Sequence, residues 1–269
     1  MPTELTEEPD DIRGLIEIQG QKNDILRSAI QHVSPNIAQS FDELCGSELE
    51  EIDQLYSTAA LVTLAGFRKA GKDGWQLGND LGLLLYHTGL GLSAAAQLLR
   101  HGYPLSVGVV ARNALEMIAT VLHLHEYPDD LQKFREGRFG STKAVASSAK
   151  KLFPWFGELN GLLSNEFVHV GEQYNEMQTF RPYKSRDDVS LGHGLTILKI
   201  EVWMFYVTVE RTFYRFVRQP MYWVEEPSDS EGQIRLQYAP TSEGDRWAKD
   251  FIGSSLKTVS SVSPSNSSA

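Results

Sequence analysis

Residues 105–127, LSVGVVARNALEMIATVLHLHEY, constrain the fold more than any other stretch of the chain. Val107, Ala111, Leu115, Ile118 and Leu122 make one face at helical spacing, and Val110, Met117, Val121 and Leu124 extend it nearly all round. A helix apolar on almost every side has to be surrounded by other helices. It is bounded by Gly102-Tyr103-Pro104 before and Pro128 after, as helix ends should be. The expectation is therefore an all-α fold, an antiparallel helical bundle with this segment inside it.

The rest of the chain supplies the neighbours. An amphipathic segment over about 10–33 is expected to end at Ser34-Pro35-Asn36. Ser40-Phe41-Asp42-Glu43 has the spacing of a capping box and should open a second helix. That helix is acidic at its start and basic at its finish, which suits the helix dipole, and Gly71 with the Lys72-Asp73-Gly74 that follows should stop it. Asn79-Asp80 can cap a third helix reaching about His101, with Gly82, Gly89, Ser93 and Ala96 along one stripe where another backbone can come close. The basic stretch 129–152 is less apolar; Pro154 suits the first turn of a helix carrying LSNEFVHVG, residues 163–171. Residues 172–188 read as a loop, and an aromatic-rich helix follows over about 189–218, ended by Pro220.

The expected organisation is a bundle over residues 1–220, with 1–39 as an N-terminal helical arm. Residues 221–253 hold a linker, a strand or extended arm at QIRLQY and a brief helix near 245–252, and 254–269 form a disordered serine-rich tail. Cys45 is the only cysteine, which excludes an intramolecular disulfide and any cysteine-based zinc cluster and fits a reducing compartment. The N-terminus is acidic and lacks the apolar core of a secretory signal, so the expected location is the cytoplasm. The closest approach to a membrane span is 81–99, which carries no formal charge but holds His87, Gln97 and three glycines, so no membrane association is expected. A formal net charge of −10 argues against a protein that coats nucleic acid, while leaving room for a local basic patch.

Function has to be sought among polar groups inside apolar helices. Arg112, Glu116 and His123 fall within roughly 40° of one another on a 3.6-residue helix. One reading is an Arg112–Glu116 pair at the bundle edge. On the later helix, Glu166 lands in the apolar face of Trp155, Phe156, Leu159, Leu163 and Phe167, with His169 at its margin. A carboxylate inside a core needs a cation, and Arg112 is the nearest in prospect, so Arg112, Glu116, Glu166 and His169 are expected to cluster. Glu166-x-x-His169 also has di-iron spacing, but no second such motif lies on the expected core helices, and His123 and His125 diverge on a helix. Arg211, Arg215 and Arg218 form a basic stripe, expected as a solvated face beside a negative partner or, alternatively, an anion site.

The segments AAQLLRHGYPLSVGVVARNALEMIATVLHL and LLSNEFVHVG resemble an uncharacterised family of bacterial and phage helical proteins. That family pairs an Arg-x-x-x-Glu helix with a Ser-x-x-x-x-His helix some fifty residues on; Arg112, Glu116, Ser164 and His169 occupy those positions. More distantly the arrangement is similar to the HEPN superfamily, bundles of bacterial toxins and antiphage systems, many of them dimeric, metal-independent ribonucleases. The superfamily's arginine, separated from the histidine by four to six residues, has no counterpart at Ser164, Leu163 or Leu162. The resemblance implies RNA as a partner, a homodimer and no cofactor. His169 would serve as general acid or base, Arg112 would stabilise phosphate charge, Ser164 or Asn165 would orient it, and Glu116 and Glu166 would hold the arginine and histidine. A non-catalytic, protein-binding bundle, in which the same cluster only fixes helix packing, remains the alternative.

Overall fold

The computed structural model describes residues 25–139, 142–152, 156–163, 181–226, 235–246 and 249–250. It is a mostly helical bundle. α1 (Ile25–Ser28) runs through a π-helical turn (Ala29–Val33) into the long α2 (Ser34–Asp73), followed by α3 (Gln76–Arg100) and α4 (Pro104–Glu126). A 3-10 turn (Pro128–Asp130), α5 (Leu131–Arg135), α6 (Thr142–Leu152) and α7 (Phe156–Leu162) lead to α8 (Val189–Thr212). A second 3-10 turn (Tyr214–Phe216) precedes β1 (Trp223–Glu226) and β2 (Arg235–Tyr238), which pair antiparallel with Trp223 opposite Tyr238. Residues 242–246 are helical.

α8 lies against α2, α3 and α4 and is buried on all sides. Its start matches expectation, because the Asp188 carboxylate accepts the Ser190 and Leu191 N–H groups and replaces the missing first-turn partners. Its end does not. The helix stops at Thr212 and the chain tightens into the 3-10 turn, so the expected arginine stripe breaks up. Arg211 is 3% exposed, while Arg215 and Arg218 are exposed.

Two breaks expected near the start of α2 are absent. Ser34-Pro35-Asn36 continues the helix, because the π-helical turn takes up the strain: Ser34 N–H donates five residues back to Ala29 O, and Pro35 sits in the first turn, where its missing donor is tolerated. Ser40 is no cap but an interior residue, whose hydroxyl donates to Ile37 O at 2.7 Å and accepts the Tyr183 N–H at 2.9 Å. A capping-box spacing therefore serves to dock the segment before α8. The true irregularity is at buried Cys45 (φ −121°, ψ 15°), where Arg186 donates to Leu44 O at 2.7 Å. Burial pushes the Cys45 thiol up to about 11, so it is an inert core group at neutral pH.

α3 begins at Gln76, ahead of the expected Asn79-Asp80 cap; Asp80 instead receives Arg135 at 2.5 Å. The small-residue stripe does admit neighbours. A Cβ on Gly82 would lie 2.9 Å from the Phe67 ring and 3.3 Å from its Cα, and Tyr56 OH donates to Gly89 O at 3.0 Å. By length and composition α4, rather than 81–99, is the described helix apolar enough to cross a bilayer; half of the qualifying window is buried inside this bundle.

At Gly82 the obstruction includes backbone, so the Gly82→Ala variant should lose about 1–3 kcal/mol of stability, despite the better helix propensity of alanine. Urea denaturation should report this as a lowered midpoint.

Candidate functional site

Arg112 projects from the side of α4 that faces α6 and α7. Its Nε and Nη2 both lie 3.0 Å from Glu116 Oε1, one turn along the same helix. Nη1 reaches across to α7, where it donates to Asn160 O at 3.3 Å and to Asn160 Oδ1. The Arg112 side chain is 21% exposed and Glu116 43%, so solvent screens the ion pair and its fixed geometry matters more than its energy. The expected Arg112–Glu116 pair at the bundle edge is thus present.

The pair opens into a cleft of about 530 Å³ between α4, α5, α6 and α7. Phe134, Phe139 and Phe156 give it aromatic walls, and Lys150 adds a second cation. Apolar walls with a few convergent polar groups are the usual make-up of a ligand site. Ser164, Asn165, Glu166 and His169 lie outside the described residues, as does any Arg112–Glu166 contact. α7 carries Asn160 in the cleft wall, and the described chain runs on to buried Leu163, the residue before Ser164.

Behind Arg112 stands a carboxyl group that sequence reasoning did not single out. Glu201 of α8 is 0% exposed, and neither carboxyl oxygen has a hydrogen-bond partner. Burial drives its pKa well above the ordinary carboxylate value, opposed only by the attraction of Arg112. Burial therefore favours the neutral acid form of Glu201. The sequence signal for Glu201 was a glutamate set in the aromatic run of α8.

His123, the third member of the α4 stripe, points elsewhere. Its Nδ1 lies 2.9 Å from Ser148 Oγ and its Nε2 3.0 Å from Asp130 Oδ2, while its ring packs on Tyr127 and Phe139. The connectivity is that of a serine–histidine–aspartate relay, yet Ser148 is buried and the cleft wall is formed by Ser147 instead. The interaction ties α4 to α6 and to the turn after α4. His125 diverges to the opposite side, as helical geometry requires. Among the described residues no group of three His, Cys, Asp or Glu side chains is placed to hold a metal ion.

No protein-family model, curated protein or solved structure matches this chain.

The buried acid gives a direct test. The unfolded chain ionises Glu201 near 4.5, whereas burial in the folded chain shifts that ionisation to higher pH. Its folded pKa is raised, so this difference opposes folding as pH rises above 4.5. Glu201→Met should therefore stabilise the fold at pH 7, by up to about 3 kcal/mol, the cost of protonating an ordinary carboxyl there. The gain should shrink as pH falls towards 4.5, read from denaturation midpoints across that range.

Proposed function

We propose that the α4–α7 cleft binds RNA and that the protein is a HEPN-like, metal-independent ribonuclease of a toxin or antiphage system, acting in the cytoplasm as a homodimer. The observation that carries this reading is the cleft itself: two cations, Arg112 and Lys150, converge on aromatic walls in a chain whose net charge is −10. Phosphate is drawn to the cations, and exposed base faces suit phenylalanine rings.

In this reading the 2′-oxygen of a ribose attacks the adjacent phosphorus as its proton passes to His169. The bond from phosphorus to the 5′-oxygen breaks, and that oxygen takes up a proton, leaving a cyclic phosphate and a free hydroxyl. Arg112, held by Glu116 and Asn160, offsets the charge that builds on the phosphate oxygens. Ser164 or Asn165 orients the group, and Glu166 holds the histidine. A second reading is an interaction bundle without catalysis. It is favoured by the same two bonds, since an arginine already held by a carboxylate and an amide also serves packing.

Varied single-stranded and structured RNAs, incubated with the full chain in excess chelator, should be cut. His169→Ala and Arg112→Lys should each slow cleavage about a hundredfold or more while the helical circular dichroism persists. RNA left intact by the unaltered protein, or an unchanged rate in His169→Ala, would overturn the enzymatic reading and leave the interaction bundle.

A further inference from the structure

We propose that a second pocket, at the C-terminal end of α8, binds a small anion carried on a planar ring, the chemistry of a nucleoside monophosphate. The pocket measures about 400 Å³ and lies between the end of α2, the end of α4, the turn after α8, and β2. It shares no lining residue with the Arg112 cleft and does not depend on the ribonuclease reading.

Its inner wall contains Arg211, an arginine 3% exposed and held in one orientation. The guanidinium carbon lies 4.4 Å from the centre of the Trp223 ring, Nη1 donates to Leu236 O at 3.2 Å, and Nη2 pairs with Glu126. Nε has no hydrogen-bond partner. His125 lines the same wall. Burial, and then the nearby Arg211 charge, hold its pKa down to about 4, so at neutral pH it is an uncharged hydrogen-bonding group.

The mouth supplies the rest. Trp75 and Phe216 are large aromatic side chains left partly in water, each 6.3 Å from the Phe213 ring between them. Arg215 stands exposed beside them and has no ion pair among the described residues. Glu126 answers Arg211 and Lys69 answers Asp73 at the rim, while Glu225 and Glu210 act on Tyr214 in the same lining. An exposed arginine next to ring faces favours a ligand that is both anionic and flat.

Calorimetric titration of the full chain with adenosine 5′-monophosphate, adenosine and inorganic phosphate separates the parts of the proposal. The nucleotide should bind saturably, with adenosine and phosphate each weaker by about tenfold or more. Arg215→Ala changes an exposed side chain. It should leave the melting temperature alone and weaken nucleotide binding about tenfold, whereas Arg112→Lys should leave nucleotide binding unchanged. Absence of saturable heat at millimolar nucleotide would overturn the site. So would adenosine or phosphate binding as well as the nucleotide, or an Arg215→Ala variant that binds normally. A loss of binding in Arg112→Lys would move the nucleotide to the other cleft and equally overturn the assignment.

Discussion

The structure depends on the burial of α8. Helices α2, α3 and α4 surround it, and nineteen of its residues, from Ser190 to Thr212, are buried. Four of those are lysine, arginine or glutamate, whose charges water can no longer serve. Each has to be met by the protein or give up its charge, because an unanswered charge in a core costs several kcal/mol. Lys199 reaches Glu51 of α2 at 3.3 Å. One oxygen of Glu210 accepts the backbone N–H groups of Tyr222 and Trp223 at 2.7 and 3.2 Å. Arg211 takes Glu126 and the Trp223 face. Glu201 alone of these lacks a hydrogen bond, and burial shifts it towards the protonated form. The polar groups of the central helix thus specify where the other elements dock.

Residues of α8 line the second pocket, whereas the Arg112 cleft is walled by α4 to α7 with Leu84 of α3. Glu201 of α8 acts on Arg112 from behind that cleft, and burial favours its neutral form. The second pocket lies where Glu210 and Arg211 fasten the β-hairpin to the helix. Tyr222 and Trp223 are fully buried in that joint, and the Trp223 indole donates to Val207 O at 2.8 Å. A hairpin this short is marginal by itself, and its stability comes from this docking.

The reach of sequence reasoning follows the range of the forces involved. Helical periodicity, the glycine after α2, the break at Gly102-Tyr103-Pro104 and the Asp188 cap are local, acting within a few residues. They determined the class of fold, the limits of α4, the start of α8 and the Arg112–Glu116 pair, since residues one helical turn apart must meet. The expected breaks in α2 failed for a tertiary reason. Ser40 has the chemistry of a cap, but its hydroxyl is claimed by Tyr183, 143 residues away.

Only the tertiary structure decided which charges are buried and what they face. Arg211 and Arg215 are four residues apart and chemically alike, yet one is stacked on Trp223 inside the core and the other stands in solvent. The difference arises because α8 ends between them. Glu201 could not be told from a surface glutamate until three helices closed over it. By itself the sequence determined a bundle with polar groups in apolar helices; long-range packing decided which groups met, because desolvation depends on everything that surrounds a side chain.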